Sequence, residues 1–343
     1  MRSPVRFGII GCGVIGRAHA EALASLPEAT LVAVTDVDRE RADALAQQYG
    51  ARPYTDLDDM LDVEDLDVVN VCTASGMHGE HACAVMRSGR HVIVEKPMEI
   101  RSEAIDEMLR VQEEAGVKLA VIFQHRFDPA ARDLHQLIEG NALGRLVAGN
   151  AHVLWWRSQE YYDSGAWRGT WALDGGGVLM NQGIHSIDLL QWFMGPVRAV
   201  CAYTDTLTHR VETEDVAVAV LRFHSGALGT IVGTTSAYPG VTTRVEVFGD
   251  AGSAIVERDR LHYLRLLGDG QEPAGAYGLE MREPPPLPAP APQGGAHADQ
   301  IADMIRAIGE GDTPLVDGHA GRHAVEIILA VYESARTGKE VLL

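Results

Sequence analysis

Three glycines, Gly11, Gly13 and Gly16, stand in GCGVIG directly after the apolar run RFGII. A Gly-x-Gly-x-x-Gly spacing between an extended run and a helix-like run lets a dinucleotide's pyrophosphate reach backbone amides. Gly11 permits the tight turn, Gly13 leaves room for the pyrophosphate, and Gly16 lets the helix pack closely. The amides of Val14 and Ile15 open that helix toward the phosphates. Asp36 follows Gly16 by 20 residues, at the end of LVAVTD, where a carboxylate accepts both hydroxyls of an adenine ribose. A 2′-phosphate would meet a like charge there, so NAD is expected over NADP, with Arg39 and Arg41 as the residues that would speak for NADP.

In VIVEKP, at 92 to 97, a second apolar run ends in Glu95, Lys96 and Pro97. If the run is a parallel strand, Lys96 emerges at its carboxyl end, where ligands bind in open sheets. Pro97 restricts Lys96 to an extended conformation, a cis bond being one way to do so, and thereby aims the ammonium. An ammonium beside a substrate hydroxyl orients it and stabilises negative charge developing on oxygen.

A third stretch, GGGVLMNQGIHSIDLLQW at 175 to 192, reads as a glycine-flanked helix start. Asn181, His185 and Asp188 then share one face of an otherwise apolar helix, and three aligned polar groups point to a site rather than to core. FQHRF adds Arg126, and WWRSQEYYDSGAWRGTW adds Trp156, Arg157, Tyr162, Arg168 and Trp171. Aromatic faces stack on sugar rings and arginines pair with carboxylates or phosphates, so the set suits a carbohydrate, an anionic one included. The same residue types also serve subunit contacts.

These groups need elements to hold them. From 5 to 124 the runs RFGII, LVAVTD, DVVNVC, HVIVEK and KLAVIF alternate with amphipathic segments, the rhythm of βαβ units. Their hydrophobicity is continuous, so both faces of the sheet are covered and the strands are parallel. After Phe127 the pattern turns to hairpins, one joined at HSG and one at DAG, which calls for an antiparallel sheet. The reading is an α/β fold: a doubly wound parallel Rossmann sheet over 1–124 and an α+β substrate and oligomerisation domain over 125–343. The Pro/Gly/Ala-rich stretch 268–295 is expected to be a surface excursion.

The 343 residues carry 48 acidic against 29 basic side chains, a net charge of −19 that repels nucleic acid and anionic lipid alike. No segment reaches about 18 uninterrupted apolar residues, and Cys12, Cys72, Cys83 and Cys201 are scattered, as in a reduced, cytoplasmic protein. A metal is not expected, because no second His/Cys cluster completes the one beginning at His78. The sheet face left free by the helices suggests a homodimer or homotetramer.

GCGVIG, CTASGMHGEHACAVMRSGRHVIVEKP, GGGVLMNQGIHSIDLLQWFMG and DGHAGRHAVEIILAVYESARTGKEV together resemble the Gfo/Idh/MocA oxidoreductases over nearly the whole chain. The resemblance implies a Rossmann domain, a second domain with a large open sheet, NAD or NADP, and redox chemistry on a sugar, polyol or related hydroxyl. It matches His185 to the acid/base histidine and Lys96 to the substrate-orienting lysine, and it places Thr73, Ser75, His78 and Glu95 along the cofactor. Asn181 stands where many members carry Asp; an amide orients a hydroxyl but cannot ionise. Two other readings stay open: an enzyme that recycles tightly bound NAD, of glycoside hydrolase or epimerase type, and a dinucleotide-dependent regulatory protein.

Overall fold

The computed structural model describes residues 3–268 and 295–343, so the expected excursion falls almost wholly outside the described residues. The chain divides into two compact units. Of the described residues, the first holds those up to 124 together with 172–175 and 295–325, and the second holds 125–171, 176–268 and 326–343.

The first unit is built on six strands: β1 (Val5–Ile10), β2 (Ala29–Thr35), β3 (Arg52–Tyr54), β4 (Val68–Val71), β5 (His91–Val94) and β6 (Leu119–Val121). They form one parallel sheet in the order β3-β2-β1-β4-β5-β6. The helices are α1 (Val14–Ala24), α2 (Arg39–Tyr49), α3 (Leu57–Val63), α4 (His78–Arg87) and α5 (Ser102–Ala115). Strand β4 is buried along its whole length, as a run covered on both faces must be. Asp38 caps α2 by accepting from the amides of Glu40 and Arg41. Of the six strands of this sheet, β3 alone had no signal in the sequence: it is three residues long, contains Pro53 and sits at the sheet edge, where proline is tolerated.

The second unit begins with α6 (Pro129–Glu139), β7 (Leu146–Leu154) and the short α7 (Gln159–Asp163). A π-helical turn over Val178–Gly183 runs into α8 (Ile184–Met194), followed by β8 (Val197–Asp205), β9 (Val216–Phe223), β10 (Leu228–Thr234), β11 (Thr242–Gly249), β12 (Gly252–Glu257) and β13 (Arg260–Leu266). After α9 (Gly295–Glu310), which belongs to the first unit, and α10 (Gly318–Thr337), β14 (Val341–Leu342) completes an eight-stranded sheet ordered β13-β12-β11-β7-β10-β9-β8-β14. Among the described strands of this sheet, only the β7 and β10 pair is parallel. Both expected hairpins are present, as β9–β10 and β11–β12. Residues of β9 alternate strictly between buried and accessible, and the accessible face carries Val218 and Val220, with Tyr203 of β8.

Candidate active site

The glycine turn fits a dinucleotide. Gly11 has φ +92°, and a Cβ there would lie 2.6 Å from the Cys72 carbonyl oxygen. At Gly16 a Cβ would lie 2.0 Å from the Gly11 carbonyl oxygen, whereas at Gly13 it would meet nothing within 4 Å. That open space is where a pyrophosphate needs to approach. Helix α1 starts at Val14 with no side-chain cap and no acidic residue in its first turn, which leaves the amides of Val14, Ile15 and Gly16 uncovered by side chains.

At the end of β2, Asp36 is held by two backbone amides, Cys12 N–H to Oδ2 at 2.8 Å and Asp38 N–H to Oδ1 at 2.9 Å. A carboxylate has about four acceptor positions, so this one is oriented with capacity left for ribose hydroxyls. Arg39 and Arg41, the residues that would favour a 2′-phosphate, pair with Asp43 and Asp38.

Lys96 is half-buried at the carboxyl end of β5, and the Lys96–Pro97 bond is cis. Its N–H donates to Glu95 Oε2 at 3.0 Å. Burial works against a charge on Glu95, but the His19 and His297 imidazoles, by hydrogen bond and field, hold its carboxyl well below the usual carboxylate range. Thr73 meets His81 through its hydroxyl, and Ser75 is buried. His78 is buried too, with Nδ1 2.7 Å from the Pro97 carbonyl and Nε2 3.1 Å from that of Thr73. Burial pushes its pKa down, against the pull of those carbonyls. It braces the loop after β4 against the segment carrying Lys96.

In the second unit, Asn181 and His185 are both partly accessible, but Asp188 is not their companion on the face. Asp188 is buried and receives Arg126 twice, from Nε at 2.8 Å and Nη2 at 2.6 Å. Arg126 is itself buried, its guanidinium packed over Trp192, so its chemistry is turned inward. The turn carrying Asn181 is anchored by Glu214. This buried carboxylate accepts from Gly177 N at 2.8 Å, Leu179 N at 3.0 Å and the Tyr332 hydroxyl at 2.9 Å. Burial outweighs those donors and raises its pKa to about 7.

His185 lines a cavity of about 180 Å³ together with His125, Trp155, Gln182, Arg244 and Arg258. The Nδ1 of His125 lies 2.7 Å from Asp128 and 3.2 Å from Asp259. Burial opposes its charge, yet the bond to Asp128 and the fields of Asp259, Asp128 and Asp188 leave its pKa above the ordinary value. Arg258 and Asp259, on the turn between β12 and β13, both have positive φ. None of these cavity residues but His185 was marked by sequence spacing; His125 and Gln182 stood one place from Arg126 and Asn181.

The aromatic and arginine stretch forms a ladder. Arg157 lies over Trp155 and Tyr161, and Arg168 lies over Tyr161 and Trp167 and donates to the Tyr161 hydroxyl at 2.8 Å. Tyr161, unmarked in the sequence, is the hub, and it also receives Gln182. Tyr162 is buried with its hydroxyl 2.8 Å from that of Thr235, and burial pushes it up to about 12. Tyr162 and Arg168 line a separate open hollow of about 560 Å³ with Arg210 and Glu212. Trp156 and Trp171 are exposed, Trp171 edge-on to Tyr332.

Two family models match the chain: the oxidoreductase family, NAD-binding Rossmann fold, over residues 5–123, and the GFO/IDH/MocA C-terminal domain over 131–255. Myo-inositol 2-dehydrogenase of Thermotoga maritima is 28% identical, across 99% of this chain and 98% of that one. D-glucoside 3-dehydrogenase of Escherichia coli is 31% identical, across 66% of this chain and 69% of that one. The crystal structure of the WlbA dehydrogenase from Bordetella pertussis in complex with NADH and UDP-GlcNAcA superposes with a TM-score of 0.88. It is 35% identical and covers 99% of both chains.

Proposed function

Because the chain belongs to the Gfo/Idh/MocA family of NAD-binding oxidoreductases acting on CH–OH groups, we propose that it oxidises a secondary hydroxyl of a sugar, polyol or sugar derivative. Bound NAD supplies the hydride acceptor. Gly11, Gly13, Gly16 and the first amides of α1 hold its pyrophosphate, and Asp36 holds its adenine ribose. Lys96 orients the substrate hydroxyl, and His185 takes the hydroxyl proton as general base. Asn181 orients the substrate through its amide and carries no proton.

The observation that carries this reading is His185 on the wall of a cavity that also offers His125, Gln182 and two arginines as hydrogen-bonding groups. Arg244 and Arg258, with the UDP-GlcNAcA bound by a relative 35% identical, support sugar acids and nucleotide sugars as substrates to try alongside inositols and aldoses. The uncovered sheet face with Tyr203, Val218 and Val220 supports self-association as a homodimer or homotetramer, which sedimentation would reveal. Among the described residues no helix is long and apolar enough to cross a membrane, and the four thiols are free, which supports a cytoplasmic setting.

The test is a dehydrogenase screen of inositols, aldoses, uronic acids and nucleotide sugars with NAD and NADP, following absorbance of the reduced cofactor. Net NADH release with at least one of them is expected. Turnover without net release would replace the reading with cofactor recycling, and ligand binding without turnover would replace it with regulation.

A further inference from the structure

Glu95 is a buried carboxylate whose two oxygens do different work. Oε2 accepts the backbone N–H of Lys96 at 3.0 Å, and Oε1 meets His19 Nε2 at the same distance. His19 projects from α1 and is wholly buried; its other ring nitrogen, Nδ1, lies 2.9 Å from Asn70 Nδ2 on β4. In a neutral His19 ring, an Asn70 N–H directed at Nδ1 makes that nitrogen the acceptor and puts the ring proton on Nε2, aimed at Glu95. On the far side His297 of α9 reaches to 3.7 Å from Oε1, its ring edge-on to that of His19.

A carboxylate taken this far out of water keeps its charge only where donors converge on it. Here the donors are His19 of α1, His297 of α9 and the backbone N–H of Lys96, so the carboxylate ties the lysine's backbone to two helices of the first unit. We propose that Asn70 and His19 form a positioning chain for Lys96: Asn70 sets the His19 tautomer, His19 fixes the Glu95 carboxylate, and the carboxylate fixes the lysine's backbone. The catalytic part of this inference rests on the role given to Lys96 above; the chain of contacts does not.

The sequence contains three lysines, Lys96, Lys118 and Lys339, so selective 15N-lysine labelling gives three backbone amide signals. Lys96 is assigned by its loss in Lys96→Arg. In His19→Leu the Lys96 amide should exchange with solvent about tenfold to hundredfold faster, the loss expected for a hydrogen bond to a charged acceptor. Lys118 and Lys339 should not change. His19→Gln, which keeps an N–H able to reach Glu95, should restore most of the protection. An unchanged Lys96 amide in His19→Leu, or general acceleration of all three signals, would overturn the proposal.

Asn70→Ala cuts the chain one link earlier and is read in the same way, so the test survives if His19→Leu does not fold. NAD affinity, followed by calorimetry, should change by less than about threefold in these variants, since neither side chain belongs to the glycine turn or to Asp36. Loss of NAD binding in proportion to loss of amide protection would assign His19 to the cofactor seat instead. Turnover of Lys96→Met separately decides the role of the lysine.

Discussion

The rings of His125 and His185 stand edge-on, 5.0 Å between centroids and 85° between planes. With Asp128 and Asp259 on its Nδ1, His125 holds its proton to a higher pH than an ordinary imidazole, against the effect of burial, and so places positive charge beside the proposed base. His125→Gln removes that charge, and the acid limb of kcat/KM should move to higher pH. The folded state also binds this proton more tightly than the unfolded chain does. The resulting stabilisation is complete below pH 6.5 and is lost as pH rises through the elevated value. A pH–rate profile and a pH series of thermal melts check the two halves.

His185→Ala should lower turnover by about 10² to 10⁴, the usual worth of a general base, with NAD affinity kept. Steady-state rates and calorimetric titration with NAD test both parts, and full turnover in the variant would remove His185 from the mechanism.

Asp36→Ala should weaken NAD by about tenfold more than NADP, because it removes the partner of the ribose hydroxyls and the charge that repels a 2′-phosphate. The side chain also holds the Cys12 and Asp38 amides, so both cofactors lose some affinity and the ratio is the informative quantity.

Glu214 ionises at about 7 in the folded protein against 4.5 for an ordinary glutamate. As pH rises across that window the unfolded chain releases its proton first, so stability falls by roughly 3 kcal/mol. Glu214→Gln should flatten this part of the stability profile in urea titrations between pH 4 and 8.

Arg126→Met leaves the Asp188 carboxylate buried without its bidentate partner, and should cost about 3–5 kcal/mol. Replacing both, as Arg126→Met with Asp188→Leu, should recover much of that loss, measured by urea denaturation.

The parts of this architecture that were legible beforehand are those with a local cause. The turn at Gly11 to Gly16, the acid at Asp36 and the strand ending in Lys96 follow from neighbouring residue types, and the structure puts them at the ends of β1, β2 and β5. Helical spacing grouped Asp188 with Asn181 and His185, but spacing cannot register that a buried arginine 62 residues away claims the carboxylate. Glu214, His125 and the His19 to Glu95 contact were illegible for the same reason, since each depends on elements brought together by the tertiary fold. The parallel β7 and β10 pair lies in a half of the chain where strand pairing was legible only as hairpins.

Ile301 and Met304 of α9 sit in the core with Phe7, Ile9 and Leu23. A growing polypeptide therefore cannot finish its first domain when residue 124 leaves the ribosome; the greasy side of α1 waits until nearly nine-tenths of the translation is over. Anyone wanting a free-standing nucleotide module from this protein would have to graft 295–310 back on, because a simple cut after β6 would leave that surface wet and adhesive.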